Sequence, residues 1–164
     1  MLRLADIEAA RVRALLSCYG LELALVAEGE PIPGSYWGEC EAGLIGSQVF
    51  ARADTPVHSV LHEACHLIVM PKERRAQVHT DASDSIAEED AACYLQIMLA
   101  DQLPGVGKTR LMQDMDAWGY SFRLGSTRAW FEQDAGETQA WLMTRGLLPL
   151  DDPADISKVT IQTR

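Results

Sequence analysis

The spacing of apolar residues changes from helical to strand-like within the first fifty positions. Within 5–18, apolar residues recur at intervals of three and four, which predicts an amphipathic helix that ends at Gly20. The stretches that follow are short, aliphatic or alternating, and bounded by turn residues. They predict three strands, at 21–26, 35–40 and 48–52, with a turn-rich loop at 29–34.

The most strongly apolar helical stretch is 55–70. Thr55 is a suitable N-cap, Pro56 occupies the first helical position, where proline is tolerated, and Pro71 ends the run. The apolar residues between these ends leave few sides of the helix to face solvent. We therefore expect it to be central and largely buried.

The second half of the chain is patterned almost wholly as helices. After a polar connection at 72–83, helices are predicted at about 85–102, 109–118 and 127–145. The last is expected to break near Gly136 and to end before Gly146. This order of elements favours an α+β fold with a small antiparallel or mixed sheet packed on the 55–70 helix. Residues 1–148 are expected to form one domain, followed by an acidic, extended tail at 149–164.

Composition narrows the function classes. The chain has 164 residues, of which 48% are hydrophobic and 23% charged, as in ordinary globular proteins. A net charge of −10 argues against general binding of nucleic acid or of anionic membranes, since both require basic patches. The first residues lack a charged region leading into an apolar core, so no signal peptide is expected, and no apolar run approaches the length of a membrane span. Its four cysteines lack CxxC spacing, so buried reduced thiols in a cytoplasmic protein are expected.

The 55–70 helix carries the motif HExxH, formed by His62, Glu63 and His66. Helical residues four apart are offset by roughly 40° and about 6 Å, so the two histidines can share one tetrahedral metal ion. Glu63 is then placed to act as general base towards a water on that metal. The alternative is a helix that happens to carry two core-facing histidines. Such buried polar groups need partners, and a metal supplies them.

The third metal ligand is expected on the following helix. The chain has four histidines, and none follows within ten residues of His66. Helical phase places Glu88 on the small and apolar stripe of the 85–102 helix, so Glu88 is the preferred ligand and Glu89 the alternative. These acids could instead simply complement the dipole at the start of their helix.

This combination of motifs resembles the gluzincin clan of zinc metallopeptidases, and most closely its small bacterial members, the minigluzincins and short HExxH domains. The resemblance covers about 44–100 and implies a zincin-like fold, bound Zn²⁺ and a Glu ligand, for which Glu88 with Ala91 matches the pattern. It also implies that the 48–52 strand runs beside the substrate backbone. The chain departs from the clan at Ala92, where Asp or Asn commonly supports a histidine ligand, and at Cys65, where a small residue is common.

The expected function is therefore that of a zinc-dependent metallopeptidase acting on a peptide or protein. The residues alone predict metal-activated water, and the peptide substrate is what the resemblance implies. His79, Tyr94 and Tyr120 are unranked candidates for stabilising the oxyanion. Two alternatives remain: a non-catalytic zinc-binding or interaction protein, and a zinc hydrolase of a non-peptide amide. Glu63 argues against the first, because a structural site has no use for a base.

Four further features are interpreted as structural. His58 lies two turns before His66 on nearly the same face; it is taken as an exposed histidine early in its helix, with a supporting role behind the metal ligands as the alternative. Cys65 is taken as a buried structural thiol. The sequence Gly105-Val-Gly-Lys-Thr109 resembles the end of a P-loop, but it follows a helix and lacks the first glycine, so nucleotide binding is not expected. The C-terminal helices carry aromatic residues that fill the core or a homodimer interface: Trp118, Trp130, Phe131 and Trp141.

Overall fold

A computed structural model describes residues 1–83 and 85–150. Within these ranges the chain forms an α+β fold with one small mixed sheet and seven α-helices. The predicted acidic tail lies almost entirely outside the described residues, which end at Leu150.

The sheet has three strands in the order β1-β3-β2. They are β1 (Glu22–Val26), β2 (Gly43–Ile45) and β3 (Gln48–Arg52). β3 pairs in parallel with β1 and antiparallel with β2, so the sheet is mixed. Val49 and Ala51 of β3 are fully buried and face the helices. The predicted strands at 21–26 and 48–52 are thus confirmed.

The predicted strand at 35–40 is wrong, and β2 takes its place. Gly34 and Gly38 both have positive φ angles, and the Gly38 N–H donates to Ser35 Oγ in a local turn. Because of this turn, the segment is not extended, although its aromatic residues favour a strand. The chain becomes regular only at Gly43, where it pairs with β3.

The helices lie close to their predicted positions. They are α1 (Ala9–Ser17), α2 (Val57–Val69), α3 (Lys72–Arg75), α4 (Ile86–Ala100), α5 (Gly107–Trp118), α6 (Thr127–Gln133) and α7 (Gly136–Thr144). Gly20 follows α1 with φ +72°, and the Leu21 N–H reaches back to the Leu16 carbonyl to close the helix end. The expected break at Gly136 separates α6 from α7. The short helix α3 lies in what was expected to be a polar connection.

α2 is the central helix, as expected. Eleven of its thirteen residues are buried, and it packs on α4 and against the sheet. Its N-cap is Pro56 rather than Thr55. Thr55 Oγ1 instead accepts a hydrogen bond from the Arg52 N–H at 2.9 Å and closes the turn between β3 and α2.

No helix in the described ranges is long and apolar enough to cross a membrane. All four cysteines are free thiols. Cys65 and Cys93 are buried, whereas Cys18 is exposed and Cys40 is half-buried. The thiols are therefore unpaired as expected, although only two of them are buried.

Candidate metal centre

α2 presents His62 and His66 to the same point. Their Nε2 atoms are 3.0 Å apart, and the rings meet edge to face. Two nitrogens bound to one tetrahedral zinc at about 2.0–2.1 Å would be separated by roughly 3.3 Å. The spacing of the histidines therefore matches a shared metal ion.

α4 supplies a carboxylate to the same point through Glu89. Its oxygens lie 3.1 Å from His62 Nε2 and 3.2 Å from His66 Nε2. Ser85 caps the start of α4 by accepting from the Glu88 N–H, which fixes the first turn from which Glu89 projects. Two imidazoles and one carboxylate make a three-ligand set of the kind that catalytic zinc takes, with a fourth position left for water.

Glu88, the preferred ligand from the sequence, does not lie with the histidines. Its carboxylate forms a two-pronged ion pair with the Arg74 guanidinium at 2.8 and 2.9 Å. Helical phase could not separate the two glutamates, because every residue from Ala91 to Ala100 is buried. An apolar stripe does not mark the face of a helix that is buried all round.

Gln96 orients the first ligand and was not anticipated from the sequence. Its Oε1 lies 2.6 Å from His62 Nδ1, and its side chain is fully buried. Because Oε1 only accepts hydrogen bonds, His62 Nδ1 carries a proton, and Nε2 is the ring nitrogen that faces the centre, where a metal ion would take its lone pair. Gln96 lies one helical turn beyond Ala92, the position where the resembled clan commonly has Asp or Asn. A polar residue one turn beyond Ala92 was therefore the feature of the sequence that could have pointed to Gln96.

The two carboxylates of the centre have shifted pKa values. Burial alone would raise the pKa of Glu89, but hydrogen bonds from His62 and His66 outweigh it and hold that pKa far below its usual range. Burial raises the pKa of Glu63, and the two histidines act in the opposite direction. Two imidazole lone pairs and a carboxylate converge here, so the donor set fits a divalent metal ion.

The centre opens into a cleft of about 420 Å³. Glu63 lines this cleft together with the three ligand residues. Among the oxyanion candidates, Tyr120 also lines it, with its ring centroid 5.7 Å from that of His62. Tyr94 instead stacks on Phe131 and bonds Gln139, and neither it nor the exposed His79 lines the cleft.

His58 is buried, so its interpretation as an exposed histidine is wrong. Only 1% of the residue is exposed, and its ring lies between those of Trp118 and Tyr120. Nδ1 lies 3.2 Å from the Tyr120 hydroxyl, while Nε2 has no hydrogen-bond partner among the described residues. Burial, assisted by the charge of His62, lowers the pKa of His58 to about 4.

β3 cannot be the strand that accompanies a substrate. Both of its edges are occupied, one by β1 and the other by β2. The outer edge of β2 is also engaged, because the Leu44 carbonyl accepts from the Thr80 N–H and the Leu44 N–H donates to the Gly34 carbonyl. The expectation for 48–52 is therefore corrected.

The remaining structural interpretations can be placed in the fold. Cys65 is fully buried, as expected. The segment resembling a P-loop runs from the end of α4 into α5, with no preceding strand. Trp130 is buried in the core, and Phe131 and Trp141 pack against it. Trp118 is 41% exposed and lines the cleft.

Comparison of the chain with protein-family models, curated proteins and solved structures finds no match.

Proposed function

We propose that this protein is a zinc-dependent hydrolase, specifically a zincin-like metallopeptidase, with His62, His66 and Glu89 as metal ligands. The observation that carries the proposal is the convergence of these three side chains, within 3.0 to 3.2 Å of one another, at a cleft that Glu63 also lines. The resemblance of its motifs to gluzincins supports a peptide substrate. The four free cysteines support the cytoplasmic location expected from the sequence.

Each residue of the centre has a distinct role in this proposal. A zinc ion held there would act as a Lewis acid and lower the pKa of a water molecule. The Glu63 carboxylate accepts a proton from the attacking water and then passes it to the leaving nitrogen as the amide C–N bond breaks. Its raised pKa, caused first by burial, brings the carboxylate closer to neutral pH, which suits both halves of this transfer.

An enzyme is favoured over a binding protein for two reasons. The three-ligand set leaves one position open, whereas structural zinc sites usually have four protein ligands. A general base beside the open position has a use only if water is to be activated. We therefore prefer the catalytic proposal to the non-catalytic alternative.

The test is hydrolysis by the zinc-loaded protein and by Glu63→Gln. The amide keeps the size of the side chain but cannot accept the proton, so kcat on a fluorogenic peptide library should fall by about 10² or more while zinc content stays constant. Glu73→Gln, an exposed change of the same charge on α3, is the matched control and should keep full activity.

Two results would go against the proposal. If the zinc-loaded wild type cleaves no peptide of the library, the proposal of a peptidase is contradicted, and non-peptide amides become the substrates to screen. Cleavage that survives in Glu63→Gln would remove Glu63 from the mechanism.

A further inference from the structure

The cleft at the metal centre is lined by four carboxylates and by no lysine or arginine. They belong to Glu41, Glu63, Asp81 and Glu89. The proposed function uses Glu63 and Glu89, so Glu41 and Asp81 are left without a role. Neither of these two carboxylates has a lysine or arginine beside it in the cleft, and such negative charge in a confined space favours a positively charged occupant.

Glu41 is the better placed of these two carboxylates. It is half-buried just before β2, and the next residue, Ala42, is fixed by the 3.0 Å hydrogen bond from its N–H to Ser59 Oγ. Burial raises the pKa of Glu41, while hydrogen bonding from the Trp118 side chain and the Trp37 backbone opposes that effect. No lysine or arginine in the described ranges forms an ion pair with Glu41.

Three aromatic side chains line the same cleft as this carboxylate. Tyr36, Trp37 and Trp118 line the cleft and remain 61%, 78% and 41% exposed. The Tyr36 and Trp37 rings contact each other edge to face at 4.9 Å. Large aromatic rings left in solvent at the mouth of a cleft indicate a binding surface. Indole faces attract organic cations through the negative face of the ring.

His58 is an independent sign that the cleft takes a ligand. It lines the same cleft, is 1% exposed, and has no hydrogen-bond partner for Nε2 among the described residues. A buried polar atom without a partner costs free energy in the unbound protein. A ligand that reaches Nε2 through the cleft wall would remove that cost.

We propose that the cleft contains a subsite for an organic cation of the substrate, an ammonium or a guanidinium group, held by the Glu41 carboxylate between the rings of Trp37 and Trp118. This inference rests on the proposed function, since it names the substrate class as peptides with a positive charge near the scissile bond. Two sources supply the same chemistry: the side chain of an internal Lys or Arg, and a free N-terminal amine.

Binding is measured without turnover, by calorimetric titration of zinc-loaded Glu63→Gln with short peptides. One series is acetylated and amidated and carries a central Lys, Arg, norleucine or Glu. A norleucine peptide with a free N-terminus reports the amine alone. We expect the Lys and Arg peptides to bind about tenfold more tightly than the norleucine peptide, the size of one charged contact with aromatic support.

Glu41→Gln should abolish this preference, and Trp37→Ala should reduce it. Glu39→Gln removes an equal charge two residues away on the same loop, where the side chain is exposed, and should leave the preference intact. Preference for the free-amine peptide alone assigns the cation to the N-terminus and keeps the subsite. Equal binding of all capped and free peptides, no binding, or a preference that survives in Glu41→Gln overturns it.

These results are separable from the proposed function. A wild type that cleaves peptides without favouring basic ones supports the enzyme and rejects the subsite. A protein that binds Lys peptides through Glu41 but cleaves nothing supports the subsite as a binding site and rejects the hydrolase.

Discussion

At the scale of single residues, Gln96 determines how His62 faces the centre. The 2.6 Å contact between Gln96 Oε1 and His62 Nδ1 fixes both the ring orientation and the position of its proton. A neutral amide does this without adding negative charge to a cleft that already holds several carboxylates.

Replacing Gln96 by Met keeps the volume and removes that acceptor. We expect zinc affinity to fall by about 10 to 100-fold, measured by competition with a chelator. Gln102→Met, on the exposed turn after α4, is the matched control. Unchanged affinity in Gln96→Met would show that packing alone orients His62.

His58 gives a prediction for stability against pH. Its folded pKa of about 4 lies below its ordinary value of 6.5, chiefly because of burial. Between these values the unfolded chain binds a proton that folded His58 does not, so the free energy of unfolding falls as pH drops from 6.5 to 4. The total loss is about 3 kcal/mol, from 1.36 kcal/mol per pKa unit. Chemical denaturation of His58→Gln should show that much less pH dependence than wild type, and equal slopes would contradict this account.

The sequence predicted the two histidines of the candidate centre but preferred Glu88 to Glu89 as the third ligand, and the structure brings Glu89 to the histidines instead. His62 and His66 are fixed by the period of a single helix, which is local information. The choice between Glu88 and Glu89 depends on where Arg74 lies, because Arg74 holds Glu88 in an ion pair. That contact joins α3 to α4, so it cannot be predicted from the periodicity of either helix alone. His58 was misjudged for a similar reason, since Trp118 and Tyr120 cover it from a distant part of the chain.

At the scale of elements, Gly43 allows β2 to form. A Cβ at this position would clash with two backbone atoms, because it would lie 2.0 Å from the Pro33 carbonyl oxygen and 2.5 Å from the Ser35 amide nitrogen. The tight approach of these segments fixes the loop that carries Glu41 into the cleft.

We predict that Gly43→Ala lowers the free energy of unfolding by about 2–4 kcal/mol, because the backbone must move to admit the methyl group. Gly136→Ala is the matched control. It opens α7, its φ is not positive, and a Cβ there meets nothing within 4 Å. That change should be neutral or stabilising by up to about 1 kcal/mol. Similar denaturation midpoints for the two variants would contradict this prediction, because they would show that the backbone at 33–35 moves away from residue 43 at little cost.

Six of the seven described helices and two of the strands could be predicted, because their apolar patterns are dense and local; the short helix α3 was not predicted. The prediction of a strand at 35–40 was wrong because Tyr and Trp favour strands in general, whereas the positive φ angles of Gly34 and Gly38 turn this chain away from the sheet. The cleft wall was missed altogether, since residues from that loop meet α2 and the end of α5 only in three dimensions.

At the scale of the whole molecule, the candidate centre lies where two buried helices meet. α2 contributes His62 and His66, α4 contributes Glu89, and the two helices pack directly on each other. The ligands are thus held by the core rather than by loops, which is the arrangement expected of a preorganised site.

Zinc content measured by elemental mass spectrometry tests the central claim most directly, in wild type, Glu89→Gln and Glu88→Gln. The two variants remove the same charge from adjacent residues of α4, but Glu88→Gln also breaks the ion pair with Arg74, so circular dichroism first checks that both variants are folded. The account predicts about one zinc per chain in wild type and in Glu88→Gln, and loss of most of it in Glu89→Gln. Wild type that retains no zinc after resupply, or zinc that depends on Glu88 instead, would contradict the centre described here.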